Sequence, residues 1–159
     1  MADKRGTHDY VEDIRNSEVL VYINGKFYPR QDASISVFDS GFLLGDGVWE
    51  GIRYHNGKFM FLDQHLERLY WGASQIDMDI GKSMDEMRSI LFETVKFNKM
   101  ETGVHVRLIV SRGVKSTPYQ DPSFTISEPT IVIIPEYKAP SPETQKKGIK
   151  LVSVDIIRG

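Results

Sequence analysis

Apolar positions along this chain follow two rhythms, and each predicts a different kind of element. Over residues 19–29, VLVYINGKFYP, two short apolar runs flank Asn24-Gly25. A two-residue hairpin turn needs positive φ at both central positions, which Asn and Gly supply at little cost, so the segment predicts two antiparallel strands. The device recurs in VWEGIRYHNGKFMFL, with Asn56-Gly57 at the turn. Two such hairpins near the start predict a meandering antiparallel sheet there.

The period then lengthens from that of a strand to that of a helix. Leu66, Leu69, Tyr70, Ala73 and Ile76 recur at helical spacing, with Asp63 as the expected cap. Ser83 and Glu86 form a capping-box signature ahead of a second helix over about 84–98, with Met87, Ile90, Leu91, Thr94 and Val95 turned inward. Strand patterns return afterwards. VHVRLIVSRG alternates over 104–113, TIVIIPEYK over 130–138 is almost continuously apolar, and GIKLVSVDII closes the chain. The stretches 114–129 and 139–148 are rich in Pro, Ser, Thr and charge and have no period, so they read as connectors. A loop as long as 114–129 is usually functional or mobile. Strands, two helices and strands again predict an α+β fold. The expected organisation is a polar arm over 1–17, a small domain over 18–138, and a connector with a final strand over 139–159.

Composition narrows the classes. With 40% hydrophobic and 11% aromatic residues, 159 residues suffice for one domain with a real core. Twenty basic residues against 22 acidic ones, a net charge of -2, give no basic surface for nucleic acid. The absence of cysteine excludes disulfides and thiolate metal sites and fits a reducing compartment. The first residues are polar and lack the apolar run of a secretory signal. No apolar run approaches the ~20 residues that span a bilayer. The expectation is a soluble cytoplasmic protein with no nucleic-acid or membrane partner. His55 and His65 have no second ligand at useful spacing, so no metal site is expected. No Gly-x-Ser-x-Gly or other nucleophile signature is present.

Candidate chemistry centres on arginines. Arg68 lies on the first helix beside Leu66 and Leu69, and a guanidinium in apolar surroundings must find an anion. Its planar fork suits a carboxylate or a phosphate. The alternative is a surface ion pair with Glu67 or Asp63. Along VWEGIR, strand alternation puts Trp49, Gly51 and Arg53 on one face. A glycine between an aromatic and an arginine implies a hollow with an apolar wall and a cationic end, fit for a small carboxylate. The alternative is an edge strand with a surface arginine. His105 and Arg107 share a face of the following strand, as substrate contacts or as polar side chains on a half-solvated surface. Arg112 either faces a substrate or caps the loop. Gly41, Gly45 and Gly47 read as backbone requirements, and Gly113 as a turn.

Taken together, FDSGFLLGDGVWEGIR at 38–53 and HLERL at 65–69 resemble the class IV (fold-type IV) pyridoxal-phosphate aminotransferases, the branched-chain and D-amino-acid group. The resemblance runs from about Val19 to the end. It implies the small N-terminal domain of that fold, pyridoxal 5'-phosphate as cofactor, an amino acid and a 2-oxo acid as substrates, and a homodimer or higher assembly. It implies that Arg68 holds the cofactor phosphate and that Trp49, Gly51, Arg53, His105 and Arg107 line the substrate pocket. Trp49 stands where branched-chain members carry Phe, which implies a tighter or reshaped pocket. His105 replaces their Tyr. The family's Schiff-base lysine is expected beyond Gly159, since Lys138, Lys146, Lys147 and Lys150 lack its context, so no catalytic residue is assigned within the chain. An aminodeoxychorismate lyase or amine transaminase on the same fold, and a non-catalytic binding or assembly module, are the alternatives.

Overall fold

A computed structural model describes residues 12–139, 142–148, 151–153 and 155. Two hairpins open the fold. Strands β1 (Leu20–Ile23) and β2 (Lys26–Pro29) turn at Asn24-Gly25, with φ of 43° and 88°. A short helix α1 (Ser40–Leu44) follows, then β3 (Gly47–His55) and β4 (Lys58–Phe59), which turn at Asn56-Gly57 with φ of 49° and 76°. Helices α2 (Leu62–Gln75) and α3 (Met84–Phe97) come next, then the long strands β5 (Val104–Ser111) and β6 (Thr130–Tyr137) and a short helix α4 (Pro142–Lys147).

The six strands form one antiparallel sheet in the order β2-β1-β6-β5-β3-β4. Consecutive hairpins therefore do not meander side by side. They sit at opposite edges of the sheet, and β5 and β6 fill the space between them. The chain over 30–46, which includes α1, crosses from one edge to the other. Both helices lie on one face of the sheet. Val104, Val106, Leu108 and Val110 of β5 and Ile131 and Ile133 of β6 project towards them and are buried. Leu66, Leu69 and Ala73 of α2 and Met87, Leu91 and Val95 of α3 close the core. Each fully buried aliphatic side chain there contributes roughly 1.5–3 kcal/mol.

The helix starts differ in kind. The capping box of α3 is formed as expected: the Ser83 hydroxyl accepts from the Glu86 amide at 3.2 Å, and the Glu86 carboxylate accepts from the Ser83 amide at 2.7 Å. At α2 the cap is not Asp63 but Phe61, in left-handed backbone (φ 52°) and without a side-chain cap bond. Asp63 sits in the first turn, where a carboxylate suits the helix dipole, and instead binds Arg88 of α3 at 2.6 Å.

Gly45 ends α1 with φ of 69°. Gly47 lies against β5 so closely that a Cβ there would stand 2.5 Å from the Val110 carbonyl oxygen. Gly113 likewise has φ of 115° and no room for a side chain against the Glu128 carbonyl. The last residues of the segment read as a polar arm belong to the body of the fold. Ile14–Glu18 form a 3-10 turn, and the buried Asn16 amide bonds the backbone of Tyr137 in both directions at 3.0 and 2.8 Å. Residues 1–11 lie outside the described residues. Within the last predicted strand, Leu151–Ser153 are in no strand, and most of the remainder lies outside the described residues. The long 114–129 segment is tied down locally: Lys115 is buried and its ammonium donates to the Asp121 carbonyl at 2.9 Å.

Candidate active site

Strand β3 sorts the candidate residues between two faces. Val48, Glu50, Ile52 and Tyr54 turn towards the helices, while Trp49, Gly51 and Arg53 turn towards the open face. β5 places Gly51 opposite Arg107 and Arg53 opposite His105, so Arg107, His105 and Ile109 share the open face. β6 adds Ile134 beside Arg107 and Glu136 beside His105. Among the described residues no helix covers this face, and Trp49 is 62% exposed. The five substrate candidates are thus brought together.

The space above Gly51 is not empty, however. The His105 imidazole lies in it: a Cβ built on Gly51 would meet its Cε1 at 3.0 Å and Nε2 at 3.2 Å. Arg107 leans the other way, its guanidinium carbon 4.0 Å from the centroid of the Trp49 ring. Arg53 donates through Nη1 to the Lys138 carbonyl, which ties it to the end of β6. Burial pushes the His105 imidazole below the usual histidine range. The charges of Arg53, Arg107 and Lys138 act in the same direction, with Glu136 opposing.

Arg68 stands on the other side of β3. Its side chain is 66% exposed, yet Nε and Nη2 both donate to the Glu50 carboxylate, each at 2.6 Å. Glu50 is 4% exposed at its side chain and also meets His65 Nδ1 at 2.8 Å. The anion beside Arg68 is therefore Glu50, from the neighbouring strand, and not Glu67 or Asp63 of its own helix. Burial raises the Glu50 carboxyl, but the hydrogen bonds and charges of Arg68 and His65 outweigh it and hold the group below the usual carboxylate range. The Glu50 bond raises Arg68 in turn. The side-on edge of the guanidinium is consumed by Glu50. Nη2 also lies 3.4 Å from His65 Nδ1, and Nη1 makes no hydrogen bond among the described residues.

The sequence motifs do not single out Glu50. The signal was present: in VWEGIR the glutamate alternates onto the apolar face with Ile52, and a carboxylate there requires a cation. Arg112 resolves to the loop-capping alternative. It grips Asp46 at 2.8 and 3.1 Å and donates to the carbonyls of Asp77 and Ile76 at 2.8 and 2.6 Å.

The two sets of residues meet along one line. From Gly47 to Ile52, the edge of β3 away from β5 has no strand neighbour among the described residues, because β4 pairs only with Tyr54 and His55. Arg68 lies on the helix side of this edge and Trp49, Gly51 and Arg107 lie on the open side.

This arrangement, a cation on a helix behind a strand whose other face carries a basic cluster, coincides with a family assignment. The model of the amino-transferase class IV family matches residues 47–158, and the chain belongs to that family. It has the fold of the small domain of fold-type IV aminotransferases. It is 38% identical over 139 residues to a putative branched-chain-amino-acid aminotransferase of Methanocaldococcus jannaschii, covering 87% of this chain and 46% of that protein. It is 41% identical over 96 residues to a D-alanine aminotransferase of Listeria monocytogenes, covering 60% and 33% respectively. Among solved structures, the branched-chain aminotransferase of Thermoproteus uzoniensis with norvaline superposes with a TM-score of 0.62 at 25% identity, covering 74% of this chain and 40% of that one. The chain spans less than half the length of these relatives. Among the described residues, no helix is long and apolar enough to cross a membrane.

Proposed function

We propose that this chain supplies the phosphate-anchoring arginine and much of the substrate face of a pyridoxal-phosphate aminotransferase acting on a branched-chain-like amino acid and a 2-oxo acid. The observation that carries the reading is the state of Arg68. It occupies the arginine of His-x-x-Arg-Leu, its inner edge is held by a buried carboxylate, and its Nη1 has no partner among the described residues. A held guanidinium with its Nη1 free to donate suits a phosphate dianion. When bound, pyridoxal 5'-phosphate supplies the electron sink and carries the amino group between substrates.

The chain's own residues act around that group. Arg68 takes the phosphate on the helix side of the β3 edge. On the open side, Arg107 attracts the substrate carboxylate, with the neutral His105 imidazole beside it. Arg53, tied to the end of β6, adds positive potential at the same face. Trp49 provides an apolar wall, and its stack with Arg107 fixes the direction of that guanidinium. Gly51 admits the His105 ring. The Schiff-base lysine is supplied from outside residues 1–159, and the assembly is a homodimer or larger, in the cytoplasm. The uncovered open face, with Ile109, Val132 and Ile134 half-buried, supports further protein packing there.

The test compares the protein's affinity for pyridoxal 5'-phosphate with that for pyridoxal, which lacks the phosphate. Arg68→Ala is expected to cut the preference for the phosphorylated form on the order of tenfold, about 1.4 kcal/mol. An unchanged preference overturns the role of Arg68.

A further inference from the structure

We propose that Glu50, with His65, is a positioning pair that sets the direction of the Arg68 guanidinium. The inference rests on the reading that Arg68 meets the cofactor phosphate, and goes beyond it by assigning residues that do not touch the ligand.

Arg68 would be a poor fixed anchor by itself. Its side chain is 66% exposed, and a free arginine has ~2 kcal/mol of rotamer entropy to lose on binding. Glu50 removes that freedom in advance. It lies on the inward face of β3 between Val48 and Ile52, and both its oxygens are used: Oε1 by Arg68 Nε, and Oε2 by Arg68 Nη2 and His65 Nδ1. An ionised carboxylate only accepts, so the proton on His65 sits on Nδ1. His65 and Arg68 stand one helical turn apart on α2 and grip the same carboxylate, so Glu50 also locks the helix to the strand. The strand's own register with β5 then fixes where the Nη1 of Arg68 points.

Charge and geometry make opposite demands here. A carboxylate beside Arg68 cancels part of the positive potential that draws a phosphate. On charge alone, neutralising Glu50 would tighten phosphate binding. If Glu50 acts by direction, its loss weakens binding, because an untethered guanidinium must be ordered by the ligand.

The experiment measures the affinity ratio of pyridoxal 5'-phosphate to pyridoxal in the protein and in Arg68→Ala, Glu50→Gln and Glu50→Asp. Glu50→Gln removes the charge and one acceptor oxygen, whereas Glu50→Asp keeps the charge and shortens the reach. Both are expected to lower the ratio on the order of fivefold. A second reading uses the unsubstituted protein: nitrogen-15 NMR should show a slowly exchanging Arg68 Nε–H and His65 in the Nδ1–H tautomer. A ratio that stays level or rises in both Glu50 variants, while Arg68→Ala lowers it, overturns the positioning role and leaves the phosphate role standing. An unchanged ratio in Arg68→Ala overturns the phosphate role and this inference with it. The Nε2–H tautomer, or rapid exchange of the Arg68 Nε–H, overturns the pairing even if neither Glu50 variant folds.

Discussion

The Arg107 guanidinium lies over the Trp49 ring, 4.0 Å from its centroid, across the β3–β5 ladder. The pair is diagonal: Trp49 stands opposite Ile109, and Arg107 is two residues away along β5. A stack at an exposed site contributes ~0.5–1 kcal/mol, so its main effect is on where the cation points.

Trp49→Ala should therefore act on binding more than on folding. We expect a loss of stability of no more than about 1 kcal/mol and a several-fold rise in KM for the amino acid. Trp49→Phe keeps an aromatic face and should recover most of the loss. Urea denaturation and steady-state kinetics check both. A stability loss as large as that of a core residue, with KM unchanged, would show that Trp49 only packs.

At Gly51 a side chain crowds His105. An alanine Cβ would sit 3.0 Å from Cε1 and 3.2 Å from Nε2, so the imidazole must give by a few tenths of an ångström. Gly51→Ala should change KM and substrate preference while shifting the melting temperature only slightly, and Gly51→Val should do more of both. Removing the obstacle in Gly51→Ala/His105→Ala should restore the melting temperature but not the substrate preference. Equal losses of stability and activity throughout the series would make Gly51 a residue of the backbone alone.

His105 ties stability to pH. In the unfolded chain it takes up a proton near pH 6.5, and in the fold at a lower pH because burial and the neighbouring arginines oppose the charge. Between those two values the unfolded state binds more protons, so stability falls as the pH drops below about 6.5. The decline from this residue ends once the folded imidazole is protonated too. Above pH 7 the ring is neutral in both states and contributes no slope. His105→Gln should flatten this part of the curve, measured by urea midpoints between pH 5 and 7.5. The same slope in the variant would remove His105 as its source.

Borohydride reduction of the protein with pyridoxal 5'-phosphate, followed by peptide mapping, should place no pyridoxyl label on a lysine between residues 1 and 159. Lys115 is buried with its ammonium on the Asp121 carbonyl. Lys138 is exposed, and its charge reaches His105, so it is the position to watch. A stoichiometric label on Lys138 would move the Schiff base into this chain.

Local chemistry carried much of the sequence reading. Asn24-Gly25 and Asn56-Gly57 form their turns, Ser83 and Glu86 cap α3, and the alternation through Trp49, Gly51 and Arg53 puts them on one face with His105 and Arg107. These outcomes depend on a few adjacent residues. The order of the strands does not. It depends on β1 finding β6, more than a hundred residues away, and no turn residue encodes that pairing. The Asp63 cap failed because Phe61 starts α2 in left-handed backbone, leaving Asp63 free to bind Arg88. Sequence spacing offers Arg68 partners on its own helix, Asp63 and Glu67. The partner comes from β3, where only packing of helix on strand determines which carboxylate is in reach.

Among the described residues the edge of β3 between Gly47 and Ile52 is unpaired, which bears on solubility. A bare strand edge is a template on which another chain can add a strand. Here the invitation is poor. Gly47 and Gly51 offer an incoming strand no side chains to pack against. Glu50 points inward as a charge committed to Arg68 and His65. A strand docking out of register would crowd that carboxylate or force its partners apart. The carboxylate that holds Arg68 and His65 thus also stands against the addition of a second strand at this edge.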